Sequence, residues 1–472
     1  METLQRTANR GSVSTGYDID NSCVFEDANS EAMKKSLSGQ SRDCFTISFW
    51  HKRSSLGASR LCGAGPDGNN EVIIHFTSSN ELEIYSWEGA YAMRYKTNRV
   101  FRDTSAFYHF AFLIDTRLST ASERTQIYVN GVLETSFSVS VVPGQNALFD
   151  WTTNIQVGRG GPSADADMSG YLAEFVYLDD TKAAHTDLGE FDSDTGIWIP
   201  KDVSGLTFGT NGAYLDFKDS SNMGNDANGG TDFTLVNISS ADQSTDTPTN
   251  NFATFNALQP LQASGVISEG ATKFYTGSNW QTAVSSIAVS SGKWYAEFYP
   301  NSSTTIVGFV DVEDAYIPQN HTGYYLGYAG GNQNRSVGMQ GSNGVIMNDN
   351  NSATGAGFVG GNIVSLALDM DNRKAYWAVN GTYVNSGDPA NGTNGVTWAT
   401  SSTLGDLWTD VITMGVTGYT NIIWLGNFGG FTTMPISSGN ADGNGYGNFE
   451  YAPPSGFYSI CSKNLAEFGG TA

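Results

Sequence analysis

Basic residues are scarce in this chain: 24 Lys and Arg stand against 47 Asp and Glu, a formal net charge of −23. A field of that sign repels nucleic-acid phosphates and leaves counterion release little to work with, which argues against DNA or RNA as a partner. Its plain role is solubility, because like-charged copies resist association at high local concentration. Long apolar runs are missing too. No stretch approaches the roughly 18 apolar residues of a spanning helix, and the opening METLQRTANRGSVS lacks the apolar stretch of a secretory signal. We therefore expect no membrane insertion, and folding in a cytosol. Cysteine is sparse: Cys23, Cys44, Cys62 and Cys461 show neither metal-ligand spacing nor an even framework. Buried free thiols are the default reading; a Cys23–Cys62 or Cys44–Cys62 bridge stays open but runs against a reducing compartment. His51, His75, His109, His185 and His321 are scattered without zinc-like spacing, so no metal cluster is expected. A Gly-x-Ser-x-Gly elbow, a Walker loop and a heptad segment are all absent, so serine hydrolysis, nucleotide chemistry and coiled coil lack a starting pattern.

What the chain does have is glycine and aromatics. Gly 55, Phe 26, Tyr 22 and Trp 10, with 15% charged residues and no sustained 3.6-residue apolar period, describe short strands joined by tight turns. The fold class read from this is all-β. One phrase occurs twice. YHFAFLIDTRLSTASERTQIYVNGV at 108–132 and GNIVSLALDMDNRKAYWAVNGTYV at 361–384 each run an apolar strand through an acidic turn into a second strand ending in Asn-Gly. Alternation of Phe110, Phe112 and Ile114, then Ile127 and Val129, fits half-buried antiparallel strands. Asn130-Gly131 and Asn380-Gly381 supply the positive φ that a two-residue hairpin needs. Two such phrases in a chain of 472 residues predict two similar β-sandwiches, each able to bury its own core.

The boundaries follow composition. A polar leader occupies 1–11 and a first sandwich 12–205. Residues 206–260, rich in Asn, Asp, Gly, Ser and Thr, read as a connector, and a second sandwich fills 261–472. Regularly placed aromatics in the connector (Tyr214, Phe217, Phe233, Phe252, Phe255) predict an ordered strap lying on the sandwiches, not a loose tether.

At these residues family patterns emerge. The first sandwich resembles the laminin-G-like, concanavalin A-like jelly roll: Trp50 in TISFW, the run from Tyr108 to Asp115, Ile127 to Gly131, Val157-Gly158-Arg159 and Gly170 to Phe175 fall in the order of those modules. The second is similar to a SPRY-type sandwich, through Lys293 to Phe298, Val307-Gly308-Phe309, Gly361 to Asp369, Trp377 to Gly381 and Gly426 to Gly429. Gly196 to Lys201, Gly209 to Phe217, Asp246 to Thr254 and Tyr451 to Gly456 resemble phrases of structural proteins from marine and cyanobacterial tailed bacteriophages. The resemblance implies a virion component: a tail fibre, spike or fibre tip, homotrimeric as such proteins usually are, partnered by other tail or capsid proteins. Long fibres of this kind carry an anchoring domain and a coiled-coil or triple β-helical shaft, which this chain does not display, so head or tail position stays open.

Sandwiches of this shape also host glycosidases, which need two carboxyl groups about 5 Å apart across the sugar. The nearest acid arrays, Asp311-x-Glu313-Asp314 and Glu174 with Asp179 and Asp180, lack the alternating Glu-x-Asp-x-Glu of laminarinase-like enzymes. GVTW at 395–398 resembles the end of a sialidase Asp box, but Asn391 and Thr393 stand where its Ser and Asp belong. No catalytic residue and no cofactor is expected. Asp165 and Asp167 sit in a loop where some laminin-G-like modules hold Ca²⁺; a solvated acidic turn is the competing reading. Sugar binding needs exposed aromatics for the apolar faces of a pyranose beside amides and acids for its hydroxyls. Trp87, Glu88 and Tyr91 in the first sandwich and Asn320, His321, Tyr324 and Tyr325 in the second meet that description, although core packing is the commoner job of such rings. The reading is a non-enzymatic virion protein attaching to host surface glycans by weak multivalent contacts. A purely structural capsid or tail decoration, or adaptor, is the alternative.

Overall fold

The computed structural model describes residues 16–161, 166–261, 264–315, 325–327, 335–348, 352–353, 357–401 and 407–469. They fall into two compact units that meet in sequence between Thr249 and Asn250. Both are built almost wholly from antiparallel strands. Among the described residues no helix is long and apolar enough to cross a membrane.

The first domain opens with β1 (Ser22–Phe25), β2 (Ala32–Ser36), β3 (Cys44–Arg53), β4 (Ser59–Asp67), β5 (Asn70–Phe76) and β6 (Glu81–Glu88). It continues with β7 (Tyr91–Val100), β8 (Tyr108–Asp115), β9 (Thr125–Val129), β10 (Val132–Leu133), β11 (Phe137–Val141) and β12 (Asn154–Val157). Next come β13 (Gly170–Asp179), β14 (Glu190–Phe191), β15 (Trp198–Ile199), β16 (Ala213–Leu215), β17 (Thr234–Val236) and β18 (Gln243–Ser244). One sheet has the order β10-β9-β8-β3-β13-β1-β18, and the other β11-β7-β6-β5-β4-β12-β2-β17. Phe45, Ile47, Phe49, Phe110, Phe112 and Phe175 of the first sheet pack with Val72, Ile74, Leu82, Ile84 and Met93 of the second in one core. Each such side chain contributes about 1.5–3 kcal/mol by leaving water. This is the concanavalin A-like sandwich expected from the sequence. The four cysteines of the chain are buried and free.

The stretch 206–249, set apart above by composition, supplies three strands to these sheets: β16 pairs with β13, β17 with β2 and β18 with β1. Its Phe217 and Phe233 lie in the core between the sheets, and Tyr214 in a second apolar layer. Phe252 and Phe255 belong to the other unit, bridging to Cys461 and Ser285. Short strands separated by Asn/Gly/Asp turns give a connector's composition because each is only two or three residues long.

The second domain contains β19 (Val266–Ser268), β20 (Lys273–Tyr275), β21 (Trp280–Val284), β22 (Lys293–Pro300) and β23 (Thr305–Asp311). After these come β24 (Ser336–Gln340), β25 (Val345–Met347), β26 (Ser352–Ala353), β27 (Val364–Asp369) and β28 (Lys374–Val379). The last are β29 (Thr382–Tyr383), β30 (Val396–Thr397), β31 (Ile412–Tyr419), β32 (Ile423–Asn427) and β33 (Tyr458–Ser459). One sheet runs β19-β20-β32-β22-β27-β28-β29 and the other β21-β31-β23-β24-β25-β26. Trp294, Phe298, Leu366 and Trp377 of the former meet Val307, Phe309, Met414 and Val416 of the latter.

The twice-occurring phrase folds the same way twice. β8 pairs with β9, which turns at Asn130-Gly131 into β10. β27 pairs with β28, which turns at Asn380-Gly381 into β29. The φ values are 48° and 74° in the first turn, 47° and 76° in the second.

Candidate functional site

The two faces of the first domain are finished differently. On the outside of the sheet containing β8 and β13, Ala111, Leu113, Val176 and Leu178 are covered by Ala183, Leu188, Val203 and Phe208. The sheet containing β5, β6 and β7 instead carries a polar and aromatic outer face. Val72, Ile74, Leu82, Ile84 and Met93 point into the core, so the alternate residues Glu71, His75, Glu83, Tyr85, Trp87 and Arg94 stand on the opposite side.

These side chains are tied to one another. The ring of Tyr91 stands edge-on to Trp87 at 4.7 Å and to Tyr85 at 5.9 Å. The Arg94 guanidinium lies 4.3 Å from the centre of the Tyr91 ring and donates from Nε to Glu83. The other oxygen of Glu83 is 3.2 Å from His75 Nε2, and the Tyr85 hydroxyl donates to Glu71 at 2.9 Å. Burial pushes the Glu83 carboxyl up, but the hydrogen bonds from His75 and Arg94 outweigh it and hold the group below its ordinary value. Burial, then Glu71, raises Tyr85, which therefore stays a neutral donor. Tyr91 is 38% exposed, Trp87 is half-buried and Glu88 is exposed at the hairpin tip. The result is a fixed aromatic corner flanked by carboxylates and a guanidinium, the group types that meet the apolar faces and hydroxyls of a sugar. Of the residues picked from the sequence, Trp87 and Tyr91 come together here with Glu88 beside them. Glu71, His75, Glu83 and Arg94 lie outside the site expected from the sequence. Their signal is the period-2 alternation of polar residues in EVIIHF, ELEIYSW and YAMRYK, visible only once the inward face is assigned.

In the second domain Asn320, His321 and Tyr324 lie outside the described residues. Tyr325 is half-buried, 4.9 Å from the ring of Trp280, which in turn is 5.2 Å from Tyr419. Neither Trp280 nor Tyr419 was singled out, because 139 residues of sequence separate them and only the β21–β31 register pairs them. A cleft of about 560 Å³ lies elsewhere in this domain, lined by Lys293, Asp371, Tyr458, Glu467 and Phe468.

The acids weighed for hydrolysis are engaged by the protein. Asp311 accepts from Thr409, and Glu313 and Asp314 both pair with Arg335. Asp179 accepts from Ser41 and Asn211, while Asp180 pairs with Arg117. Glu174 sits at a bulge in β13 with φ 49°, accepts from the Tyr214 hydroxyl at 3.0 Å and is pushed up to about 8 by burial. Asp167 is gripped by Arg159, Nη2 to Oδ2 2.7 Å; its neighbour Asp165 lies outside the described residues. Among the described residues no group of three or more His, Cys, Asp and Glu side chains is arranged to hold a metal.

A buried Ser–His contact lies on the outer face of the sheet containing β3 and β8, where Ser48 Oγ is 2.8 Å from His109 Nε2. Trp198 Nε1, which can only donate, reaches His109 Nδ1 at 3.1 Å. Nδ1 is therefore the acceptor, Nε2 carries the proton and donates to Ser48, and the imidazole cannot take the serine proton. Burial lowers His109 to about 3, so this neutral tautomer persists across physiological pH.

Comparison with known proteins bears on the domains. The model of the Concanavalin A-like lectin/glucanases superfamily matches residues 27–185. No curated protein sequence matches the chain. Among solved structures, the SPRY domain of human HERC1 is similar at 14% identity over 36% of this chain and 94% of that one, with a TM-score of 0.26. A putative carbohydrate binding protein from Bacteroides ovatus is similar at 16% identity over 46% of this chain and 58% of its own length, TM-score 0.34. A heptameric SAP-like pentraxin from Limulus polyphemus shares 12% identity over 43% and 94% respectively, TM-score 0.30.

Proposed function

We propose that this chain is a non-enzymatic surface protein of a tailed-bacteriophage virion that attaches to host-cell glycans through the outer face of β5, β6 and β7. The observation that carries the reading is the pre-assembled corner of Trp87, Tyr91 and Arg94, buttressed by Glu83, His75 and Tyr85, with Tyr91 38% exposed. Residues 27–185 match a superfamily named for lectins and glucanases, and of the acids weighed for hydrolysis Glu313, Asp314 and Asp180 are held by arginines and Asp179 by a backbone donor, which supports binding without cleavage. The phage phrases of the sequence supply the setting: a tail fibre, spike or fibre tip, made in the host cytoplasm, assembled as a trimer with other virion proteins. Weak single sites suit such an assembly, since simultaneous engagement multiplies affinity.

The test is binding of the fluorescently labelled protein to susceptible cells and to their extracted surface polysaccharide. Attachment that disappears with Trp87→Ala and Tyr91→Ala supports the reading. A protein that coats neither cells nor polysaccharide, yet saturates capsids or tails stripped of it, would replace attachment by decoration.

A further inference from the structure

We infer that the second domain carries its own carbohydrate platform, formed by Trp280, Tyr325 and Tyr419, and that it takes an uncharged pyranose. This site stands on observations independent of the first-domain face. Trp280 and Tyr419 are directly opposed at the ends of β21 and β31, with rings inclined at 41°; Tyr325 meets Trp280 at 40°. With Trp280 against both tyrosines, the three rings make one aromatic trough, in which Tyr419 is 45% exposed. Trp280 and Tyr325 pack against a small apolar cluster of Val284, Ile306, Val310 and Leu326, so these two rings are held without a ligand.

The backbone around the trough is held in an uncommon conformation. Thr420 and Asn421, directly after Tyr419, have φ of 49° and 59°, and Asn279, directly before Trp280, has 69°. Left-handed φ at a β-branched threonine costs energy that ordinary turn chemistry would avoid, and such outliers concentrate at ligand sites. The strain is locked by Thr420 N–H to Asn279 O at 3.3 Å and by the Tyr275 hydroxyl to Asn421 Oδ1 at 2.6 Å. Asn421 therefore spends its oxygen on the protein, while its Nδ2 and the Trp280 indole N–H donate to no described residue.

The chemistry of the ligand follows from what surrounds the rings. Residues 274–284 and 411–427 contain no Asp, Glu, Lys, Arg or His. The first-domain face, in contrast, is built around Glu83, Arg94 and His75. Aromatic faces with amide and indole donors, on strands that carry no charged side chain, fit the C–H face and hydroxyls of a neutral sugar better than an acidic or amino sugar. Binding there should be insensitive to salt, because no ion pair is screened.

Affinity electrophoresis of the full chain in native gels containing dextran, mannan or galactan, with alginate as the acidic comparison, tests this. The expected result is retardation by at least one neutral polymer, unchanged when salt is raised, retained in Trp87→Ala and lost in Tyr419→Ser. Tyr419 is exposed enough that its replacement should leave the thermal transition in place, and Trp280→Phe, which keeps a ring but removes the N–H, should weaken retardation several-fold. Absence of retardation by all three neutral polymers, retention of it in Tyr419→Ser, or retardation by alginate alone would overturn the assignment. Failure of the first-domain site shows separately, as cell binding unaffected by Trp87→Ala.

Discussion

Asn130 and His109 exchange two hydrogen bonds: the His109 N–H reaches Asn130 Oδ1 at 2.7 Å, and the Asn130 N–H reaches His109 O at 2.9 Å. Asn380 and Ile363 repeat the arrangement at 2.9 and 2.8 Å. Each asparagine thus does two jobs, adopting the left-handed φ of the turn and tying the turn to the start of the neighbouring strand, β8 or β27. Asn130→Ala should strand the His109 N–H and destabilise the protein by about 1–3 kcal/mol. Gly131→Ala should cost more, because a Cβ there would sit 2.1 Å from the Trp198 ring. Urea denaturation of the two variants checks both the sign and the order; equal stability of Gly131→Ala and the parent would refute the packing argument.

A second prediction concerns a buried ion pair. Lys52 Nζ and Asp246 Oδ2 are 2.7 Å apart with both side chains 1% exposed, and the ammonium lies over the rings of Tyr171 and Phe107. The pair ties β3 to the segment just after β18, which is how the end of the first domain is fastened to its centre. Removing one partner leaves a desolvated charge, so Asp246→Ala should lose about 3–5 kcal/mol. The double replacement Lys52→Met with Asp246→Leu should recover most of it. A double variant as unstable as the single one would show that the aspartate acts through something other than the lysine.

These residues also mark what was legible in sequence. The hairpins were, because Asn-Gly flanked by alternating apolar residues has one economical backbone solution, and the two sandwich cores followed from the same alternation. The membership of 206–249 was not. Its strands are two or three residues long, and their partners lie up to about 220 positions away (Ser22 with Ser244), so composition alone reports only the turns between them. The candidate sugar face was half legible: Trp87 and Tyr91 stand out as aromatics at a turn. Arg94 and Glu83 become part of the site only through the β6–β7 register, which slips at Ser86/Trp87 and brings Tyr91 opposite Trp87. Trp280 and Tyr419 were beyond reach for the same reason.

Glu174 makes stability depend on pH in an unusual direction. Burial raises its folded-state value from 4.5 to about 8, while the Tyr214 and Tyr17 hydroxyls pull back against it. The folded protein therefore holds a proton that the unfolded chain gives up from about pH 4.5 onward. Its contribution is fully present below pH 4.5 and is lost as pH rises through 8. Glu174→Gln keeps an acceptor for Tyr214 without the ionisation. It should flatten that part of the profile and stabilise the protein at pH 9 by on the order of 5 kcal/mol, at about 1.4 kcal/mol per unit. Melting temperatures of parent and variant from pH 5 to 9 decide it: parallel curves would mean that the carboxyl titrates normally.

The last prediction separates charge from shape at the first-domain face. Arg94 both stacks on Tyr91 and pairs with Glu83, and the pairing lifts its own proton affinity further. Lysine would keep the positive charge but has no planar group to lie on the ring, so Arg94→Lys should let Tyr91 swing away from Trp87. If glycan binding depends on the fixed aromatic corner, this replacement should weaken it nearly as much as Tyr91→Ala, which as loss of an aromatic hot spot costs about 2 kcal/mol or roughly 30-fold in affinity. If it depends on net charge, Arg94→Lys should bind like the parent and Arg94→Gln should fail. Titration of the three variants with the same surface polysaccharide, at low and high salt, distinguishes the two: the corner predicts a loss present at both salts, the charge a loss confined to low salt.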